Sequence, residues 1–150
     1  MERRRKDRGI AGKSLAELVI VAAIMSLAAA MAVPTYQNFY TGLQGRTAAA
    51  EIASTLRMAR QLAMARRERL LVRFDLSQRI ITVRQEDSGG VLNVYRYADK
   101  GIVLDEPTAG LDLFFHPSGR SASATTIVMY DRNHRRNTVT VSLTGRVAVL

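Results

Sequence analysis

The chain has 150 residues, a formal net charge of +9 and no cysteine. That length allows one modest domain with its own core and disfavours two, and the lack of cysteine excludes a disulfide scaffold and a thiolate metal site. A basic chain favours anionic partners such as nucleic acid, lipid headgroups or acidic proteins, without choosing among them.

The N-terminal part combines a basic leader with an apolar run. Residues 1–12 hold five cationic side chains, and residues 18–34 read LVIVAAIMSLAAAMAVP, interrupted only by Ser26. Glu17 stands directly before this run, where a charged side chain is costly unless it has a partner. The cations ahead of the run predict a cytoplasmic N-terminus and a C-terminal domain on the other side of the membrane.

The next pattern predicts one long helix from about Lys13 to Arg67. Proline removes a backbone donor and glycine weakens a helix, so we expect this helix to bend or break near Pro34 and Gly42. Its second half carries an apolar stripe at helical spacing, which predicts packing on a sheet. The stripe consists of Ile52, Leu56, Ala59 and Ala63.

Beyond this helix the apolar period changes to two, which indicates strands. Seven strands are predicted, at residues 70–76, 79–85, 91–97, 111–115, 125–130, 138–143 and 146–150. A long helix followed by a run of strands predicts an α+β fold, in which the helix packs on a mostly antiparallel sheet.

The N-terminal residues resemble those of type IV pilins and of the pseudopilins of type II secretion. The match lies at Gly12, in Lys13-Ser14-Leu15-Ala16-Glu17-Leu18 and at Pro34, which corresponds to the family's proline near the end of the apolar half. In that family a prepilin peptidase cuts after the glycine and the new N-terminus is methylated. The resemblance therefore implies cleavage between Gly12 and Lys13 and methylation of Lys13. The family's first mature residue is usually Phe or Met, and here it is lysine.

The C-terminal half resembles the GspH/FimT branch of minor pseudopilins. The similarity lies in an Ala-Arg-rich helix end, in a Phe-x-Pro-x-Gly-Arg turn at residues 115–120 and in a final Gly-Arg strand at Gly145 and Arg146. The resemblance implies a pilin-like division of the chain into a leader, a transmembrane half-helix, a periplasmic half-helix and a β-rich globular domain. These segments are residues 1–12, 13–34, 35–69 and 70–150.

The resemblance also implies a structural subunit and not an enzyme, without cofactor or metal. Such a subunit is held by one span in the bacterial inner membrane and then enters a filament. Its partners are other pilins or pseudopilins, the prepilin peptidase and the inner-membrane assembly platform. An unpaired carboxylate at the membrane boundary either protonates or finds a cation. After cleavage the α-amino group of a neighbouring subunit is such a cation for Glu17, and the pair sets the register between helices.

Two other functions stay open. Some FimT-like proteins bind DNA through a basic Gly-Arg-x-Arg strand, but Ala148 stands here in place of the second arginine. The DNA-binding candidates are Arg120, Arg132, Arg135, Arg136 and Arg146. The third reading is a soluble exported protein, because Ala30-Met31-Ala32 resembles a signal-peptidase site that would leave Val33 as the N-terminus.

Two strings resemble nucleotide-binding motifs. Residues 9–14 (GIAGKS) match part of a P-loop, but Asp7 stands where the full pattern needs glycine. Residues 104–112 (LDEPTAGLD) match the Walker B and D-loop of ABC-type ATPases, whose chemistry requires a phosphate cradle. We therefore predict an acidic turn between strands. His116 and His134 are far apart and lack acids at ligand spacing, so no metal site is predicted.

Overall fold

The computed structural model describes residues 15–150. Within this range it describes only the backbone, and not the side chains, of residues 34, 35, 37, 38, 40 and 41. The described residues fall into two compact units, divided between Gln37 and Asn38. The predicted leader, the cleavage site at Gly12 and the methylation site at Lys13 lie outside the described residues, so these assignments stay predictions.

One α-helix, α1, spans Leu15–Arg66. The helical residues continue without interruption through Pro34 and Gly42, so the predicted break does not occur, while the bend at Pro34 stays a prediction. Proline removes only one helical hydrogen bond, and the alanine-rich residues on either side are strong helix formers. The helix ends earlier than residue 69, because Arg67 adopts a left-handed conformation with φ 55°.

The first unit contains the apolar part of α1. Leu15–Val33 has a mean hydropathy of 2.3 and is long and apolar enough to cross a membrane, judged by length and composition. None of this segment is buried within the protein.

The second unit has the predicted helix stripe at the centre of its core. Ile52, Leu56, Ala59 and Ala63 are all fully buried, as predicted. They belong to one apolar cluster that also includes inward-facing side chains from the strands, such as Phe74 of the first strand. The small alanine side chains allow the helix backbone to approach the strands closely.

The strands form two four-stranded sheets, and every pairing among the described strands is antiparallel. The first sheet contains β1 (Leu70–Asp75), β2 (Ile80–Gln85), β3 (Val91–Arg96) and β5 (Asp112–Phe115). Its strand order is β3-β2-β1-β5. The pairing of β2 with β3 shifts register after Val83.

The second sheet contains β4 (Val103–Leu104), β6 (Thr125–Tyr130), β7 (Arg136–Val141) and β8 (Val147–Val149). Its strand order is β4-β6-β7-β8. A short 3-10 helix, η1 (Ala98–Lys100), precedes β4. The α+β fold with antiparallel strands is thus confirmed, with two sheets in place of the single sheet predicted.

Two details of the strand prediction are wrong. Strand β4 has only two residues, too few to show an alternating pattern, and it was missed. Strand β7 begins at Arg136 and not at residue 138, because Arg136 pairs with Tyr130 and the following residue pairs with Met129. The turn before β7 is therefore shorter than the polar composition of residues 132–137 suggested.

Glu51 connects α1 to the outer strand β3 and to η1. The Tyr95 hydroxyl donates a 2.7 Å hydrogen bond to Glu51, and the Lys100 ammonium lies 2.9 Å from the same carboxylate. The Tyr95 hydrogen bond and the Lys100 interactions hold the pKa of Glu51 below its ordinary value, against the opposing effect of burial. Burial first, and then the bond to Glu51, raise the pKa of Tyr95.

We expect Tyr95→Phe to cost about 1 kcal/mol of unfolding free energy at pH 7, a value set low because the Glu51 carboxylate is part-exposed. A lowered folded-state pKa contributes stability above the unfolded pKa, and this contribution is lost as pH falls through the folded pKa. The cost of Tyr95→Phe should therefore shrink between about pH 5 and pH 3. Urea unfolding of the detergent-solubilised chain at both pH values measures it.

Tyr130→Phe is the matched control. Tyr130 also lies on a strand, β6, and its hydroxyl forms no hydrogen bond with another described residue. It should cost less, and its cost should not vary over the same pH range. A Tyr95→Phe cost that stays constant down to pH 3 would contradict the assigned link to Glu51.

Candidate functional site

The apolar segment Leu15–Val33 presents its side chains outward all around the helix. Leu18, Ile24 and Leu27 are 59%, 63% and 68% exposed. A continuous apolar surface of this extent marks an interaction with lipid or with other apolar helices. The segment can therefore serve as a membrane anchor and as a helix-packing surface.

Two polar side chains in this segment have different surroundings. The Ser26 hydroxyl donates a 2.8 Å hydrogen bond to the carbonyl of Ala22, which satisfies it within its own helix. Glu17 lies in the first turn of α1 and is exposed. It is the one charged residue of Leu15–Val33 in the sequence. Its carboxylate is therefore exposed and forms no ion pair with another side chain of residues 15–150.

The β6–β7 turn is organised by a buried aspartate. Asp131 is only 5% exposed, and its Oδ1 accepts hydrogen bonds from the backbone N–H groups of Asn133 (2.8 Å) and Arg135 (2.9 Å). Such side-chain-to-backbone bonds are typical of aspartate in turns. The turn leaves Arg132 and Arg135 exposed.

Gly42 and Gly45 allow this turn to lie close to α1. A Cβ on Gly42 would stand 2.7 Å from Arg135 Nη1, and one on Gly45 would stand 2.8 Å from Asn137 Nδ2 and 3.2 Å from the Cβ of Asp131. These glycines were expected only to weaken the helix. The structure instead assigns them a packing role, since α1 continues through both.

The two Gly-Arg sequences lie next to each other. Gly119 and Gly145 both have positive φ angles, 78° and 76°, and both are buried. The backbone N–H of Ser121 donates to the carbonyl of Leu143 at 3.1 Å, which joins the two turns. The resemblance of the C-terminal half thus rests on a pair of turns that contact each other in space.

Arginines from α1 hold these turns. Arg60 Nε donates a 2.9 Å hydrogen bond to the Gly119 carbonyl, and Arg57 Nη2 donates one of 3.2 Å to the carbonyl of Val147. Neither arginine was predicted to have a role. Their spacing of three residues along one helix face was the signal that could have indicated a shared role.

The five arginines predicted as DNA contacts are all exposed but form two groups. Arg132, Arg135 and Arg136 lie at the start of β7, whereas Arg120 and Arg146 lie on the Gly-Arg turns beyond its other end. The six residues of β7 place these ends about 20 Å apart. The structure therefore does not bring the five together.

The strings that resemble nucleotide motifs do not form a phosphate site among the described residues. Residues 104–112 run from the end of β4 to the start of β5 as a loop with a turn, with Glu106 exposed and the Thr108 hydroxyl accepting a 2.8 Å hydrogen bond from the N–H of Thr126. This fits the predicted acidic turn. The string at residues 9–14 lies outside the described part of the chain.

The two histidines lie in different turns. His116 precedes Gly119, whose N–H donates to the His116 carbonyl at 2.8 Å, and His134 lies in the β6–β7 turn. Over residues 15–150, no group of three or more His, Cys, Asp or Glu side chains is placed to hold a metal ion.

Solved structures with a similar fold include the following two. The type IV minor pilin FimU of Pseudomonas aeruginosa matches with a TM-score of 0.61 and 15% sequence identity, over 70% of this chain and 87% of that one. The minor pseudopilin EpsH from the Type 2 Secretion System of Vibrio cholerae matches with a TM-score of 0.59 and 20% identity, over 70% of this chain and 94% of that one. No significant match is found among curated protein sequences.

A family model, described as Type II transport protein GspH, matches residues 48–145. This range runs from the buried helix stripe to Gly145, and it covers more than half of the chain. The fold class, the paired turns and the exposed apolar helix agree with that match. The chain therefore belongs to the GspH family and has the α+β fold of minor pilins and pseudopilins.

Proposed function

We propose that this protein is a minor pilin or pseudopilin that assembles, as a structural subunit, into a type II secretion pseudopilus or a type IV pilus. The observation that carries the proposal is the exposed apolar helix Leu15–Val33, headed by Glu17, on a chain of the GspH family. Exposed apolar surface of that length requires lipid before assembly and neighbouring helices afterwards.

The proposed route begins in the inner membrane. The cationic leader keeps the N-terminus in the cytoplasm, and the domain that follows the span lies in the periplasm. Prepilin peptidase then cuts between Gly12 and Lys13, and the new α-amino group of Lys13 is methylated. The assembly platform moves the processed subunit into the filament beside other pilins or pseudopilins.

Glu17 supplies the register in this scheme. Between apolar helices, van der Waals packing has little preference for one axial offset over another, whereas an ion pair fixes a single one. The N-terminal amine of an adjoining subunit is a cation that cleavage creates at the right end of the helix. Pairing with it also removes the cost of leaving a carboxylate unpaired beside lipid.

DNA binding on the same scaffold receives less support. The five arginines that it would use lie in two groups at opposite ends of β7, and a contiguous basic track is what binds phosphate backbones most effectively. The reading as a soluble exported protein receives less support as well, since it gives the Glu17 carboxylate no role.

N-terminal sequencing tests the processing step. When the chain is expressed together with a prepilin peptidase, we expect a mature protein that begins at Lys13, with the mass of the methylated amine. Gly12→Val should leave the leader attached, because a branched side chain replaces the glycine at the cleavage site. A mature N-terminus at Val33 would identify a signal-peptidase product and contradict the proposal.

A further inference from the structure

A cavity of about 350 Å³ lies between α1 and the β6–β7 turn, wholly within the second unit. Its wall combines two chemistries. Arg46, Arg135 and Arg136 supply cationic groups, and Phe39 and Leu43 supply apolar surface. Such a wall is complementary to an amphiphile that carries a negative charge, and not to a wholly apolar ligand.

Asp131 adds a negatively charged group to the wall of this cavity. The residue lines the cavity and is 5% exposed. Its Oδ1 is occupied by the two backbone hydrogen bonds of the turn, but its Oδ2 is buried and has no hydrogen-bond partner. A buried carboxylate oxygen without a donor is destabilising. A ligand that brings an N–H donor to Oδ2 would remove this cost.

The guanidinium groups are free to bind an anion. None of Arg46, Arg135 and Arg136 forms an ion pair with a described acidic side chain. Arg135 is exposed, and its Nη1 stands over Gly42. Exposed side chains change rotamer within nanoseconds, so the Arg135 side chain can adjust to a ligand that enters the cavity.

The place of the cavity in the chain favours a lipid as the source of such a ligand. Phe39 and Leu43 follow shortly after Val33, the last residue of the apolar span, and are 65% and 46% exposed. Aromatic residues at the end of a span commonly lie at the level of the lipid headgroups. A free phosphate would use the arginines and leave both the apolar wall and Asp131 unused.

We propose that this cavity binds a phospholipid headgroup of the phosphoethanolamine type. The phosphate lies among the guanidinium groups, since Arg forms strong charge-assisted hydrogen bonds to phosphate oxygens. The primary ammonium donates to Asp131 Oδ2. The glycerol end of the lipid lies against Phe39 and Leu43. The site goes beyond the assembly role and uses none of the groups assigned to it.

The test compares two headgroups of the same charge, of which only one has N–H donors, and the Asp131→Asn variant separates the effect of the donors from the larger size of choline. Full-length protein in an uncharged detergent is titrated with short-chain phosphatidylethanolamine or phosphatidylcholine, and binding is followed by calorimetry. Choline carries the same charge but no N–H, so we expect ethanolamine lipid to bind about tenfold more tightly. Glycerophosphoethanolamine, which lacks acyl chains, should bind more weakly than the lipid. Its affinity for the unsubstituted protein should still be higher than its affinity for the cavity variants described next.

Asp131→Asn keeps an oxygen for the two backbone bonds and replaces the orphan acceptor with an NH₂ group. It should remove the preference for ethanolamine and leave choline-lipid binding nearly unchanged. The double variant Arg46→Gln/Arg135→Gln should weaken both lipids. Arg120→Gln/Arg146→Gln, at the other end of β7, is the matched control and should weaken neither.

Equal affinity for the two lipids in the unsubstituted protein would overturn the proposal. So would an ethanolamine preference that survives in Asp131→Asn while the fold, checked by circular dichroism, is intact. Salt-sensitive binding of duplex DNA that is lost in Arg46→Gln/Arg135→Gln, together with equal lipid affinities, would assign the cavity to nucleic acid instead. Incorporation of the protein into filaments is measured independently of lipid binding. Failure of the lipid proposal is therefore distinguishable from failure of the proposed assembly role.

Discussion

Glu17→Ala is expected to leave membrane insertion intact and to reduce incorporation into the filament about thirtyfold. Insertion depends on the apolar residues of Leu15–Val33 and on the cationic leader, and neither is changed. Removing one partner of a desolvated ion pair costs about 2 kcal/mol or more, which is the source of the thirtyfold estimate. The measurement is the ratio of protein in sheared filaments to protein in the membrane fraction.

Ser26→Ala is the matched control for this variant, because it also removes a polar group from the apolar segment. The Ser26 hydroxyl already bonds to Ala22 within the helix, so its loss should not change incorporation. Glu17→Gln separates charge from shape and should resemble Glu17→Ala. Normal incorporation of either Glu17 variant would show that the carboxylate does not pair with a neighbouring subunit.

Gly145→Ala should have the largest effect on stability of any single substitution considered, about 3 kcal/mol or more. Its φ of 76° disfavours a side chain. In addition, a Cβ would meet the carbonyl oxygen of Gly119 and would stand 2.9 Å from Arg60 Nε. A backbone oxygen cannot move aside without breaking the contact between the two turns. Urea unfolding followed by tyrosine fluorescence measures the loss.

Gly89→Ala separates the two sources of that cost. Gly89 has a similar φ of 66°, but no atom lies within 4 Å of the position of its Cβ. This variant should therefore lose only about 1–2 kcal/mol, the conformational part. If both substitutions cost the same, the contact between the Gly-Arg turns contributes nothing to stability.

The regular elements were predictable because their signals are local. The buried stripe of α1 and the strands β1 and β6 follow from side-chain periodicity alone, since helices repeat every 3.6 residues and strands every two. The two-residue strand β4 has no such period. It exists because Val103 and Leu104 pair with Tyr130 and Met129 of a distant segment, and tertiary pairing leaves no mark on neighbouring residues.

The sites were less predictable for the same reason. The apolar segment and Glu17 could be identified from residue order, because both lie in one stretch of chain. The role of Arg60 was harder to identify, because its partner Gly119 is far away in the sequence. The lack of a hydrogen-bond partner for Asp131 Oδ2 is likewise a consequence of burial in the folded protein. The role of Gly42 in close packing could not be predicted either, because a glycine in a helical sequence indicates only a weaker helix.

The edge strands of the two sheets affect whether copies of this chain aggregate at high local concentration. An open strand edge presents unpaired N–H and C=O groups to any neighbour and invites aggregation. Two outer strands, β4 and β8, have only two and three residues, which is too short to template another molecule. The longer outer strand β3 is offset by the register shift after Val83, and such bulges twist an edge away from flat pairing. Because β3, β4 and β8 are protected in these ways, subunits in the proposed filament are expected to associate through their helices and not through these strand edges.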